Sequence, residues 1–224
     1  SLLDESTHRF QTNHGSYRIG FSPDGKMLAA PYKMKSATGI WCWDTSTWDR
    51  IRDYAVDVRS STRGLAYSKD GGFVFLGRHR GSIVLVDTRT GKILFETPVQ
   101  RSRVTDIAIS PDDRILAAAH QDGSLIYWQV RDAWTSDPSN AIDLPMTSIA
   151  AHDGAANSVR FVNRNQIATC GEDGCLRIWT VADGAACHRL SDRSLTTHCQ
   201  FGPANDEVIL TTVSDIQRYS AASR

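Results

Sequence analysis

Two carboxylates that converge on one bond can split it by general acid and base catalysis, and Glu172-Asp173 is the adjacent pair that invites the question. Neighbours along a strand point to opposite faces, so the two do not converge, and a turn at Asp173-Gly174 already claims the aspartate. Gly25-Lys26 and Gly91-Lys92 place a lysine after a glycine, as phosphate-cradling loops do, but without the preceding glycine spacing such loops need. No Gly-x-Ser-x-Gly elbow offers a nucleophile. The seven histidines form no His-Glu-x-x-His or other metal-ligand spacing, and His198 stands alone in a predicted strand, as a satisfied polar core group does. Cys42, Cys170, Cys175, Cys187 and Cys199 are an odd number without Cys-x-x-Cys spacing, so they read as reduced and buried. No catalytic residue, cofactor or metal site is assigned, and the chain is not expected to be an enzyme.

Composition narrows the partners. Lys+Arg and Asp+Glu number 25 each in 224 residues, which argues against a general binder of nucleic acid or membrane surfaces. There is no apolar run near the length of a membrane span and no signal-like leader, so a soluble, cytoplasmic protein is expected. The lack of any Asn-x-Ser/Thr sequon agrees with that expectation.

The elements that must hold any functional residue repeat. The clearest copy runs Val104 to Ile109, a Ser110-Pro111-Asp112-Asp113 turn, Ile115 to Ala119, a Gln121-Asp122-Gly123 turn, and Ser124 to Trp128. The second-turn glycines Gly39, Gly81, Gly123 and Gly174 are spaced by 42, 42 and 51 residues. A fifth copy lacks this glycine but keeps His198 to Phe201, Gly202-Pro203, Val208 to Leu210, Ser214 to Ile216 and Tyr219. A unit this short cannot bury its own apolar faces, so the copies must stack, and four strands in about 42 residues is the spacing of a propeller blade.

Here the chain resembles the WD-repeat (tryptophan-aspartate) β-propeller family. Trp43-Asp44 is a literal Trp-Asp pair after Gly39-Ile40-Trp41-Cys42. Phe21 to Lys26 and Ala108 to Asp112 match the family's first turn, and Cys170 to Trp179 matches its second turn and third strand. The resemblance covers nearly the whole chain. It implies an all-β WD-repeat propeller, one domain over 1–224 with four-stranded repeats at about 8–44, 48–88, 92–130, 146–181 and 186–220. It also implies a buried hydrogen-bonded set of His, Ser or Thr, Asp and Trp in each blade. The fourth copy carries all of it, as His152, Thr169, Asp173 and Trp179, in a structural role. The other copies depart: the first has His14 and Trp43 but no Asp-Gly turn, the second has Val86 at the Trp position, the third has Ala118 at the hydroxyl position, and the fifth ends in Tyr219.

In this family a sequence repeat begins with the outer strand of one blade and continues with three strands of the next. His8-Arg9-Phe10-Gln11 is then an outer strand that could complete the last blade and close the ring. Two architectures stay open, a small ring of five blades and part of a larger propeller with further blades or domains in a parent protein.

Placed on such a disc, the loops of the second and third copies bring Arg59, Arg63, Arg78, His79, Arg80, Arg101 and Arg103 to one basic sector. Asp122, His152, Asp153, Glu172 and Asp173 make an adjoining acidic one, and Tyr32 to Ala37 is expected as a long cationic loop. Asp106 and Arg160 are isolated charges on the channel-lining strands. The polar segment Arg131 to Asn140 breaks the period, and its Trp134 either packs on the rim or anchors a partner. The resemblance implies a non-catalytic platform for other proteins or peptides. The arginines favour acidic or phosphorylated ones, and nucleic acid and membrane are not expected. The alternative is a regulatory sensor segment of a larger multidomain signalling protein.

Overall fold

The computed structural model describes residues 19–33, 38–55, 62–130, 145–191, 196–201, 207–212 and 216–220. The described elements are all β. The first sheet holds β1 (Gly20–Phe21), β2 (Met27–Lys33), β3 (Thr38–Asp44) and β4 (Arg50–Ala55). The second holds β5 (Thr62–Tyr67), β6 (Phe73–Arg78), β7 (Ile83–Asp87) and β8 (Ile93–Glu96). The third holds β9 (Val104–Ile109), β10 (Ile115–His120), β11 (Ser124–Gln129) and β12 (Met146–Ala150). The fourth holds β13 (Ala156–Asn163), β14 (Gln166–Gly171), β15 (Cys175–Thr180) and β16 (Ala186–Ser191). The fifth shows β17 (Thr196–Phe201), β18 (Glu207–Thr212) and β19 (Ile216–Ser220) among the described residues.

Each sheet is an antiparallel meander in chain order. Adjacent sheets meet through their first strands, β1 with β5, β5 with β9, β9 with β13 and β13 with β17, which is the radial stacking of a propeller. The expected outer strand at His8 to Gln11 lies outside the described residues, as do His14 and the Arg131 to Asn140 segment.

Burial explains the strand composition. The second strand of a blade packs on a neighbouring sheet with each face, so it cannot alternate apolar with polar. In β10 all six residues are buried: Leu116 and Ala118 join Phe75, Leu85 and Trp128 on one side, while Ala117 and Ala119 join Tyr127, Val159 and Trp179 on the other. The outer strand β12 has one neighbour and is largely exposed.

The first turns are built by one device. Ser22, Ser68 and Ser110 each donate to the aspartate two residues on, at 2.6, 2.6 and 2.7 Å. The same hydroxyls accept from the amides of Met27, Phe73 and Ile115 at 2.9 to 3.0 Å. The second turn needs its glycine: Gly123 has φ +85°, and a Cβ there would stand 2.1 Å from the His152 carbonyl oxygen of the next connection. One expected loop is shorter than the sequence implied. Tyr32 and Lys33 continue β2, and Tyr32 is buried, because its ring stacks on Trp41 at 4.6 Å.

Candidate functional site

The fourth sheet brings His152, Thr169, Asp173 and Trp179 together. Trp179 Nε1 donates to Thr169 Oγ1 at 2.8 Å, and that hydroxyl lies 2.8 Å from His152 Nε2. His152 Nδ1 is 2.9 Å from Asp173 Oδ1. With the proton on Nδ1 the chain runs indole to hydroxyl, hydroxyl to Nε2 and Nδ1–H to carboxylate; with the proton on Nε2, Nδ1 accepts instead from Arg177 Nη1, 2.7 Å away. Arg177 completes it, donating to Asp173 Oδ2 at 2.6 Å. Burial outweighs the Asp173 carboxylate and holds His152 below the usual imidazole range, so the ring is neutral at pH 7. Burial opposes the charge on Asp173, but His152 and Arg177 outweigh it and hold its pKa down at about 2. Every polar group of the set is engaged inside the sheet.

The neighbouring sheets solve the same problem differently at one position. Four residues beyond the strand residue opposite Trp43, Val86, Trp128 and Trp179 stand Tyr32, Arg78, His120 and Gly171. Gly171 leaves room for His152, whose Cγ would be 2.5 Å from a Cβ there. In the third sheet the imidazole arrives from the strand itself: His120 is fully buried, its Nδ1 is 3.1 Å from Ser102 O, and its Nε2 has no partner among the described residues. Burial pushes the His120 pKa down. Arg78 reaches Glu96 at 2.6 Å, and Ser82 donates to the same oxygen at 2.6 Å. Tyr32 donates to Asp53 at 2.8 Å, and Trp41 donates to the other oxygen of that carboxylate at 3.3 Å.

Three of the basic-sector arginines differ from the rest. Arg80, Arg101 and Arg103 are exposed and make no side-chain ion pair or hydrogen bond among the described residues. They share one edge because the connection carrying Arg101 is clamped between two turns. Gln100 N donates to Gly81 O at 3.3 Å, and Gln121 N donates to Arg103 O at 2.9 Å. Asp122 N adds a bond to Ser102 Oγ at 2.9 Å. Arg78 belongs to this edge by position, but its guanidinium is committed to Glu96, and His79 is half-buried. Asp122, Asp153 and Glu172 are exposed on the adjoining sector. Arg59 and Trp134 lie outside the described residues.

The inner strands correct one expectation. Asp106 and Arg160 are not isolated: Arg160 Nη1 donates to Asp106 Oδ2 at 2.6 Å across the β9–β13 junction. The carboxylate, 2% exposed, also accepts from Ser158 Oγ at 3.0 Å and Val159 N at 3.2 Å. Opposite charges on successive first strands were the available signal. Cys42, Cys170, Cys175 and Cys199 are buried free thiols, and the contact with Cys199 together with burial pushes the Cys170 thiol up, away from the reactive thiolate. The side chain of His198 lies outside the described residues. Among the described residues no cluster of three or more His, Cys, Asp or Glu could hold a metal ion, and no helix is long and apolar enough to cross a membrane.

Comparison with known proteins points the same way as the repeat pattern. The family described as WD domain, G-beta repeat matches residues 91–129 and 144–180. Protein ROOT INITIATION DEFECTIVE 3 of Arabidopsis thaliana is 25% identical over 82% of this chain and 45% of its own length. The Protein LST8 homolog of Drosophila melanogaster is 23% identical over 74% of this chain and 51% of its own. The chain thus spans about half the length of these relatives. Among solved structures, a chain of the Mitotic Checkpoint Complex superposes with a TM-score of 0.74 at 20% identity, covering 90% of this chain and 61% of that one, which speaks for the fold.

Proposed function

We propose that this chain, whose repeats are WD repeats and whose fold is a WD-repeat β-propeller or part of one, is a non-catalytic platform that binds other proteins or peptides on its loop edge. WD-repeat proteins typically serve as interaction scaffolds, and the reading for this chain rests on one observation. Arg80, Arg101 and Arg103 stand exposed and uncommitted on one clamped edge, while the polar set beneath is consumed by internal hydrogen bonds. Guanidinium forks suit carboxylate or phosphate groups, so acidic or phosphorylated segments are the expected partners. Arg59 and Trp134 belong to the same proposal. The reading places the protein in the cytoplasm, whose reducing conditions suit four buried, unbridged thiols.

The test is affinity capture on the immobilised chain, comparing the wild type with an Arg80→Glu, Arg101→Glu, Arg103→Glu variant at about 50 and about 300 mM salt. Partners retained by the wild type, lost from the variant and released by salt support the reading. An unchanged set of partners rejects it. A second reading makes these blades a regulatory segment of a larger multidomain signalling protein, holding an effector domain off until a ligand docks. It is favoured by the incomplete polar sets of the first three repeats, which depart from the His, Thr, Asp and Trp of the fourth.

A further inference from the structure

A cleft of about 510 Å³ opens between the third and fourth sheets, at the end of the blades opposite the arginine edge. Strand β10 runs from Ile115 in the cleft lining to His120 under that edge, and five extended steps separate the two by about 16 to 17 Å. The volume lies in the range of roughly 300–1,000 Å³ typical of ligand clefts.

Its walls are fixed. Val130 N donates to Arg114 O at 2.8 Å, tying the first turn of the third sheet to the end of β11. Val181 N does the same to Asn165 O at 2.9 Å in the fourth sheet. Tyr127 then donates across the junction to Val181 O at 2.9 Å, so the two walls are bonded to each other.

The polar side chains of the lining are Asp112, Thr180, two arginines and two carboxamides, and the arginines and carboxamides lack adequate partners. Arg114 is 57% exposed in its side chain and approaches Asp112 only at 4.0 Å. Arg164, on the other wall, is exposed and makes no ion pair or hydrogen bond among the described residues. The carboxamides of Gln129 and Asn165 are likewise unengaged among the described residues. Ile115 and Val181 supply the apolar part of the lining.

We propose that this cleft is a second docking site, for a short acidic peptide segment whose carboxylate is held between Arg114 and Arg164. A guanidinium on each wall matches a carboxylate. Carboxamides carry both a donor and an acceptor, the complement of a peptide unit. The Asp112 carboxylate in the lining, which accepts from Ser110 Oγ at 2.7 Å, disfavours a dianion more than a monoanion. The site therefore takes aspartate or glutamate side chains in preference to phosphate. It is independent of the arginine edge and does not rest on it.

The test uses the full chain and a fluorescein-labelled six-residue peptide carrying two glutamates, read by fluorescence anisotropy. The expected result is saturable binding that Arg114→Glu and Arg164→Glu each weaken by about tenfold or more. The glutamine counterpart of the peptide should not bind, and the phosphoserine counterpart should bind no more tightly than the glutamate one. The Arg80, Arg101, Arg103 triple variant should bind as the wild type does, which separates this site from the loop edge. Circular dichroism checks that the variants are folded, as expected for exposed positions. Absence of saturable binding up to about 1 mM peptide overturns the proposal. So do cleft variants within twofold of the wild type, tighter phosphoserine binding, or loss of binding in the triple variant.

Discussion

Thr169→Val removes one oxygen from the middle of the fourth sheet and keeps the shape of the side chain. Thr169 is fully buried, so the valine leaves no cavity and the loss is polar. The Trp179 Nε1–H loses its acceptor at 2.8 Å, and His152 Nε2 loses its hydroxyl partner at 2.8 Å. Both residues are nearly inaccessible to water, at 6% and 7% exposure. Each orphaned buried group costs about 1–3 kcal/mol, so the variant should be destabilised by about 2–6 kcal/mol. Thr169→Ser keeps the hydroxyl and forfeits one methyl group, about 1 kcal/mol. Urea unfolding followed by circular dichroism reads the difference, and hydrogen exchange at β14 amides reads it even if the blades open separately. A third variant isolates the cause. With Trp179→Phe in place there is no indole N–H to orphan, so the valine should then cost about 1–2 kcal/mol less than it does alone. A Thr169→Val protein within about 0.5 kcal/mol of the wild type, or equal costs in both backgrounds, would falsify the account of the network.

Acid should weaken the fold in two stages. His120 and His152 titrate below 6.5 in the folded chain, so their contribution is complete above pH 6.5 and is lost as pH falls through their lower folded values. Asp173, depressed to about 2, adds a loss confined to roughly pH 4 to 2; a His120→Leu variant should flatten the first stage in melting temperature measured against pH. Arg160→Met leaves the Asp106 carboxylate buried without its cation and should cost about 3–5 kcal/mol in urea unfolding, and a cost below about 1 kcal/mol would show that Ser158 and Val159 suffice. Gly123→Ala should cost about 2 kcal/mol or more, from its positive φ and the His152 carbonyl in its way, and a thermal melt equal to the wild type would refute that.

What was legible in the sequence was whatever the repeat register carries. The serine turns and the second-turn glycines Gly81, Gly123 and Gly174 recur in register, and the family pattern names the four-residue set of the fourth blade; Gly39, counted with those glycines, instead lies within β3 opposite Tyr32 and Ala55, because the first sheet's second and third strands run on past that point. What lay hidden crosses between blades or between strands of one blade without a repeat to mark it. Arg177 is the exception, four residues from Asp173 and on the same face of one extended segment. Asp106 finds Arg160 only because β9 lies against β13. Asp53 and Glu96 sit on outer strands, where the pattern is weakest, yet they receive Tyr32, Trp41 and Arg78. The cleft was invisible for the same reason: its two arginines belong to first turns of different repeats, and each alone reads as ordinary loop charge.

The position shared by Tyr32, Arg78, His120 and Gly171 sets a limit on exchanging parts between blades. A chimera that averaged the repeats column by column would write one residue at all four places. Glycine at position 78 would cost Glu96 its guanidinium, and glycine at position 32 would strip Asp53 of its phenol. Histidine at position 171 would collide with His152. The transferable unit is therefore neither the residue nor the strand but the residue together with its correspondent, which sits on the outer strand in the first two blades and on the preceding connection in the next two. Grafts made as such couples should preserve the blades, and grafts of single residues should not. Each of these four blades thus has its own lock and key, and its sequence can drift only when both halves change together.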